Sequence, residues 1–311
     1  MWWLSARVWA AAIAVLGLSN SVSLGACTTN DITSITVSGT GLASYNPFVA
    51  STPRQLTINV ASNVACSVEL AFQTSATPAR LQGPGTPLTY DVQLPSTTTS
   101  LLFAAGMPTT TTRIDIGAGN VGTATVQVAL PTNQIVASGA YNDANLVAHI
   151  YDKSTTTLVP LKSVGVPIST TVVAACQFLT PTNPTINFSG AIINGLPNPG
   201  HVGSVALSSL NCTAPSRVSL SAGPMLLTTG ATGGPAFDSR IHFRATATLA
   251  GASTLLDTST GATTVVSTET NVTSGATLNS AVQVDVRLVR GNPLLAGAYS
   301  SVMTVSVVPN P

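Results

Sequence analysis

The sequence predicts an all-β protein built as two antiparallel β-sandwich domains. Three observations carry this reading. Short runs of alternating apolar and polar residues recur from Ile32 to Val308. Clusters of Gly, Pro and Asn separate them. A pattern centred on cysteine and closed by Gly-Ala-Tyr occurs twice, about 150 residues apart.

The first segment stands outside that pattern. Arg7 precedes an apolar run from Val8 to Leu18, and small polar residues follow. This is the layout of a secretory signal peptide, and the run is short for a membrane span. Residues 1–26 are assigned to it, with cleavage after Gly25 or Ala26. Trp2, Trp3 and Trp9 all fall inside it.

The strand runs come next. ITSITVSG (32–39), LTINV (56–60), CSVELAF (66–72), LTYDVQL (88–94) and TATVQVAL (123–130) alternate cleanly in the first half. AVQVDVRLV (281–289) and VMTVSVV (302–308) do so in the second. Thr and Val dominate, and both suit a pleated, half-buried surface. QGPGTP, GAGNVG and TTGATGGP supply turns. Thr also permits a second account, an O-glycosylated stalk, which calls for more Pro and less alternation.

The repeat sets the domains. Cys27 and Cys176 are offset by 149 residues, Cys66 and Cys212 by 146, and Tyr141 and Tyr299 by 158. A period this long marks duplicated domains rather than a solenoid. The expected boundaries are 27–153 and 173–311, with 154–172 as a linker of strand potential.

Composition excludes several functions. Only 7% of the 311 residues are charged, against roughly a quarter in a typical domain, while 44% are hydrophobic. Disorder is excluded. A net charge of +1 leaves no basic surplus for nucleic acid. Two Glu, two Lys and three His are few for acid–base or metal chemistry. His149, His201 and His242 lack ligand spacing, and there is no Gly-x-Ser-x-Gly elbow. No enzymatic activity, metal or cofactor is expected. Asp238, Arg240, His242 and Arg244 form the densest polar cluster. Their i, i+2 spacing would put them on one strand face, either solvated or in contact with carbohydrate.

Four cysteines in an exported chain suggest two disulfides, with three possible connectivities. Spacing favours Cys27–Cys66 and Cys176–Cys212. Each bridge would contribute about 3.5–4 kcal/mol in the chain-entropy account. Leu24-Gly25-Ala26-Cys27 also resembles a lipobox, in which Cys27 would carry lipid instead.

The residues resemble a known family at this point. AACQF (174–178), INFSG (186–190), Cys212, VQVDVRL (282–288) and the closing AGAYSSVMTVSVV resemble the spore coat protein U domain. That domain is the pilin module of archaic chaperone–usher pili. Cys27, VACSVELAF and SGAYNDANLVAHIY carry the resemblance in the first copy, although the family's usual Phe-Gly after the first cysteine is not evident there. Tyr141 and Tyr299 mark the closing-strand motif. The resemblance implies immunoglobulin-like pilin folds, the second lacking its final strand. It implies a periplasmic chaperone, an outer-membrane usher and an adjacent pilin subunit as partners through donor-strand exchange. No nucleic acid is among them.

A pilin also needs roughly 10–15 residues before its first cysteine to donate a strand, and the mature chain would have at most Ala26. It would accept a strand without donating one. In this family a two-domain subunit of that kind is the tip adhesin, reached through the periplasm and displayed at the cell surface. There it would mediate attachment to an apolar or host surface and biofilm formation. An ordinary structural pilin or a spore-coat-like secreted protein is the other reading.

Two residue sets are candidates for specific roles. Val164, Val166, Ile168 and Val172 alternate before Cys176. They form either an in-chain donor strand for the first domain or the first strand of the second. Adhesive loops are expected at Leu42, Tyr45 and Phe48, at Leu102, Phe103 and Met107, and at Val121, because exposed apolar loops mark contact sites. Short apolar runs are also common in cores, so each of these residues has a buried alternative.

Overall fold

The structure is a computed structural model that describes residues 24–117, 119–152, 159–180, 183–260, 263–269 and 271–310. The Arg7–Leu18 run, the three tryptophans, Ala118 and residues 154–158 of the expected linker lie outside the described residues.

The described chain is all-β apart from two single 3₁₀ turns, at Ser189–Ala191 and Thr258–Thr260. Its strands form two sandwiches, each around its own buried cluster. The first cluster gathers residues from Cys27 to Val172, and the second from Ala191 to Leu288.

The first sandwich contains β1 (Ile32–Ser38), β2 (Arg54–Ser62), β3 (Cys66–Gln73), β4 (Leu88–Gln93), β5 (Thr112–Ile116), β6 (Val121–Ala129), β7 (Gly139–Asp143), β8 (Val147–Asp152), β9 (Lys162–Gly165) and β10 (Ile168–Val172). One sheet runs β1–β2–β6–β4 and ends on Ala79–Leu81. The facing sheet is built on β3, with β5 paired to it and the path β3–β8–β9 on its other side. β7 pairs with β10. Alternation selects the buried face. Leu56, Ile58 and Val60 of β2 and Leu88 and Val92 of β4 are fully enclosed, while Thr123 and Thr125 of β6 face solvent. Thr keeps that outer face β-forming without charge.

The second sandwich contains β11 (Cys176–Phe178), β12 (Val202–Cys212), β13 (Ser216–Ala222), β14 (Phe243–Leu249), β15 (Ala252–Asp257), β16 (Thr277–Leu288) and β17 (Met303–Pro309). One sheet runs β11–β12–β16–β14–β15 and ends on Thr268–Glu269. The other is Val265–Val266, β13 and β17. Val282, Val284, Val286 and Leu288 of β16 point into the core, and Gln283, Asp285 and Arg287 point away.

The disulfides join Cys27 to Cys66 and Cys176 to Cys212. Each ties the start of a sandwich to the strand pair that its second cysteine ends or begins. The Gly-Ala-Tyr repeat is also structural. The Tyr141 hydroxyl donates to the Ala137 carbonyl and the Tyr299 hydroxyl to the Leu295 carbonyl, both at 2.9 Å and both four residues upstream. Gly139 and Gly297 hold φ of +136° and +148°. A Cβ there would lie 2.8 Å from Pro84 Cγ and 2.6 Å from Leu227 Cδ1, so both positions require glycine. Such a tyrosine corner pins the crossing between sheets in Greek-key sandwiches.

Candidate functional site

The two sandwiches differ at the edge beside their last common strand. In the first, β8 has a partner on each side. β3 pairs along Val68–Gln73, and β9 pairs along Lys162–Gly165. The chain then crosses to the other sheet at Val166-Pro167. β10 pairs antiparallel with β7, and Gly41 and Tyr45 bridge it in parallel at Ser169 and Val172. The Leu42 and Tyr45 amides each donate to it at 2.8 Å, to the Ser169 and Thr171 carbonyls. Val166, Ile168, Thr170 and Val172 are buried in this passage, and Val164 packs on the same cluster. Of the four residues named as a possible in-chain donor, Val166, Ile168 and Val172 thus lie in the first core and Val164 packs against it. The Lys162 ammonium donates to the Ile32 and Thr33 carbonyls at 3.1 and 2.8 Å, which ties β9 to β1.

In the second sandwich β17 pairs with β13 alone among the described residues. β12 is covered by β11 only at its end, from Leu210 to Cys212, so Val202–Leu207 keeps one edge unpaired among those residues. A groove of about 750 Å³ opens between these two edges. Val205 and Leu207 line one side, Met303 and Val305 the other, and Phe243 and Val284 the floor. The burial reads the same way. Ala148 and Ile150 of β8 are wholly enclosed, whereas Met303, Val305 and Val307 of β17 are only half-buried. The cleft thus combines an apolar floor with two backbone edges that are unpaired among the described residues.

The expected adhesive loops divide. Tyr45 is a correction: it is 1% exposed, its hydroxyl donates to the Pro131 carbonyl at 2.9 Å, and that hydroxyl accepts from the Gln134 amide at 3.0 Å. Burial pushes its pKa up. Phe103 is a second correction, enclosed with Ala71 and Tyr151 on the outer face of β3. Short apolar runs with strand neighbours on both sides are drawn inward. Leu42, Phe48 and Leu102 are half-buried, while Met107 and Val121 are exposed. Those two lie at opposite ends of β3, because Phe103 registers with Gln73 and Ile116 with Cys66.

Register also locates the end of the first sandwich farthest from the second. The chain leaves for Cys176 from Val172, opposite Gly139, while Asp152, Cys66 and Ala61 lie at the other end. Val121 starts there opposite Ala61, and Val64 and Val159 join it, exposed by 56%, 43% and 74%. Val64 and Val159 were missed because they are 95 residues apart in sequence and only the register brings them to one end.

The polar residues do not converge. Asp238 accepts from the Asn292 amide at 2.9 Å, and Arg244 pairs with Asp257 at 2.6 Å. The strand breaks at His242, so Arg240 and Arg244 belong to different sheets and the expected common face does not form. The His242 Nδ1 donates to the Thr258 carbonyl at 2.8 Å. His149 bridges two strands, with Nδ1 2.7 Å from the Ser163 hydroxyl and Nε2 2.8 Å from Gln73 Oε1. Desolvation holds its pKa below the ordinary value.

No family model matches the chain, and no curated protein does. Solved structures do. One is the chaperone–tip adhesion subunit pre-assembly complex CsuC–CsuE of the archaic chaperone–usher Csu pili of Acinetobacter baumannii. It is 12% identical over 88% of this chain and 100% of that one, with a TM-score of 0.40. The CupB6 tip adhesin of Pseudomonas aeruginosa is 8% identical over 88% and 94%, TM-score 0.36. CfaE, the adhesive subunit of CFA/I fimbria of enterotoxigenic Escherichia coli, is 9% identical over 88% and 93%, TM-score 0.33.

Proposed function

We propose that this chain is the terminal, surface-attaching subunit of a chaperone–usher pilus. Its second sandwich accepts an extended strand, first from a periplasmic chaperone and then from the next subunit. The contrast between the sandwiches carries this reading. The passage 162–172 fills the first one, and the same place in the second is a groove of about 750 Å³ with an apolar floor, between two edges unpaired among the described residues. The filled copy also defines the occupant: an extended segment with apolar residues at every second position.

A first sandwich that completes itself needs no donor, so its far end is free for attachment. Val64, Val121 and Val159 give that end exposed apolar groups suited to apolar surfaces. The leader in residues 1–26 would direct export, usher-dependent assembly would place the subunit at the fibre tip, and attachment there would serve biofilm formation.

The test transplants the chain's own solution. A copy of residues 153–173 is appended after Pro311, which recreates behind β17 the connection that follows β8. The extended chain should be monomeric, should melt at higher temperature in its second transition, and should lose binding of an apolar dye. An unchanged second transition with undiminished dye binding would remove the acceptor reading.

A further inference from the structure

The repeat places one more segment in register. Ile35-Thr36-Val37-Ser38-Gly39 closes β1, and Ile186-Asn187-Phe188-Ser189-Gly190 stands 151 residues later, close to the cysteine offsets. The two copies have different structures. The first pairs with β2 along Ile35↔Val60, Thr36↔Asn59, Val37↔Ile58 and Ser38↔Thr57. In the second, β11 stops at Phe178, the Leu179 amide makes one more bond to the Ser209 carbonyl, and residues 183–188 are outside any strand. The edge of β12 that would receive them, Val202–Leu207, is the one left unpaired among the described residues.

The segment is nevertheless close by. Ile186 and Phe188 lie directly over Gly203 of β12, where a Cβ would collide with both rather than leave them room. They also line the groove, together with Pro184 and Thr185. In the first sandwich the groove is filled and this segment's counterpart is a strand. The filling strand, β9, is bonded to that counterpart, β1, through Lys162 on the Ile32 and Thr33 carbonyls.

We propose that residues 183–188 are a latent strand: they cover part of the empty groove as coil and pair along Val202–Leu207 when a donor strand enters. This rests on the acceptor reading above. The physical gain is shared. Ordering a six-residue coil alone costs backbone entropy that one ladder on an exposed edge does not offset. A donor adds a second neighbour and dries the cleft, so both ladders form together. Until then Ile186 and Phe188 shield an edge that would otherwise pair with another chain.

Hydrogen exchange on the full chain, with and without the appended copy of residues 153–173, tests the coupling. The extension should slow exchange at 303–309 and, together with it, at 185–188 and 203–207, by about tenfold or more. Slowing at 303–309 with no change at 185–188 overturns the latent strand and leaves the acceptor reading standing. No slowing at 303–309 overturns both. Asn187→Pro in the extended chain removes an amide from the ladder without touching the groove floor. It should abolish the protection at 203–207 and keep that at 303–309, and retained protection at 203–207 would refute the pairing.

Discussion

The Tyr141 hydroxyl donates to the Ala137 carbonyl four residues before it, inside the first core. The second sandwich repeats the bond from Tyr299 to Leu295, in a more open setting. Removing one hydroxyl leaves a carbonyl without its partner. Tyr141→Phe should therefore cost the first sandwich about 1–2 kcal/mol, and Tyr299→Phe should cost the second less. Each variant should shift one of two transitions in urea unfolding. A shift of both by Tyr141→Phe would contradict independent cores.

Val166 is fully enclosed where the chain crosses between the sheets. Val166→Asp places a carboxylate in that apolar core, and should destabilise the first sandwich by more than about 3 kcal/mol. Calorimetry should show the loss in the first transition alone. If the second transition moved instead, 162–172 would belong energetically to the other sandwich.

His149 supplies a pH dependence. Its pKa is lowered by burial, so below the ordinary value of 6.5 the unfolded chain takes up a proton that the folded chain refuses. The stabilisation is complete above about pH 6.5 and is lost as pH falls through the lowered folded value. The first melting temperature should drop between pH 7.5 and 5.5, and His149→Gln should flatten that drop.

Attachment should follow the far end of the first sandwich. Val64→Ser, Val121→Ser and Val159→Ser together remove exposed apolar groups, so they should reduce binding to an apolar surface at an unchanged melting temperature. Phe103→Ser is the contrasting variant, because its ring is enclosed and its loss should lower stability by about 3 kcal/mol or more. Full binding by the triple variant would remove this end from consideration.

Much of the architecture was legible in the sequence because strand signals are local. A two-residue period says which side chains share a face, so Leu56, Ile58 and Val60 could be read as one buried row and Thr123 and Thr125 as its exposed complement. The repeated Gly-Ala-Tyr was visible too, although not that Gly139 and Gly297 share a left-handed conformation. Burial of a loop residue is not local. Tyr45 and Phe103 look alike as exposed apolar turns until Pro131, 86 positions on, and Tyr151, 48 positions on, come to cover them.

The sequence by itself determined that this chain makes strands, that it repeats, and that it has few charges with which to guard an open edge. Only the tertiary structure decided which edges are open. Val147–Asp152 and Met303–Pro309 carry the same alternation, yet one is flanked on both sides and the other on one. Periodicity specifies the face of a strand, whereas its hydrogen-bonding edges are satisfied by whatever segment the fold brings alongside. Lys162–Gly165 reaches the outer edge of the first strand, and among the described residues nothing pairs with the outer edge of the second.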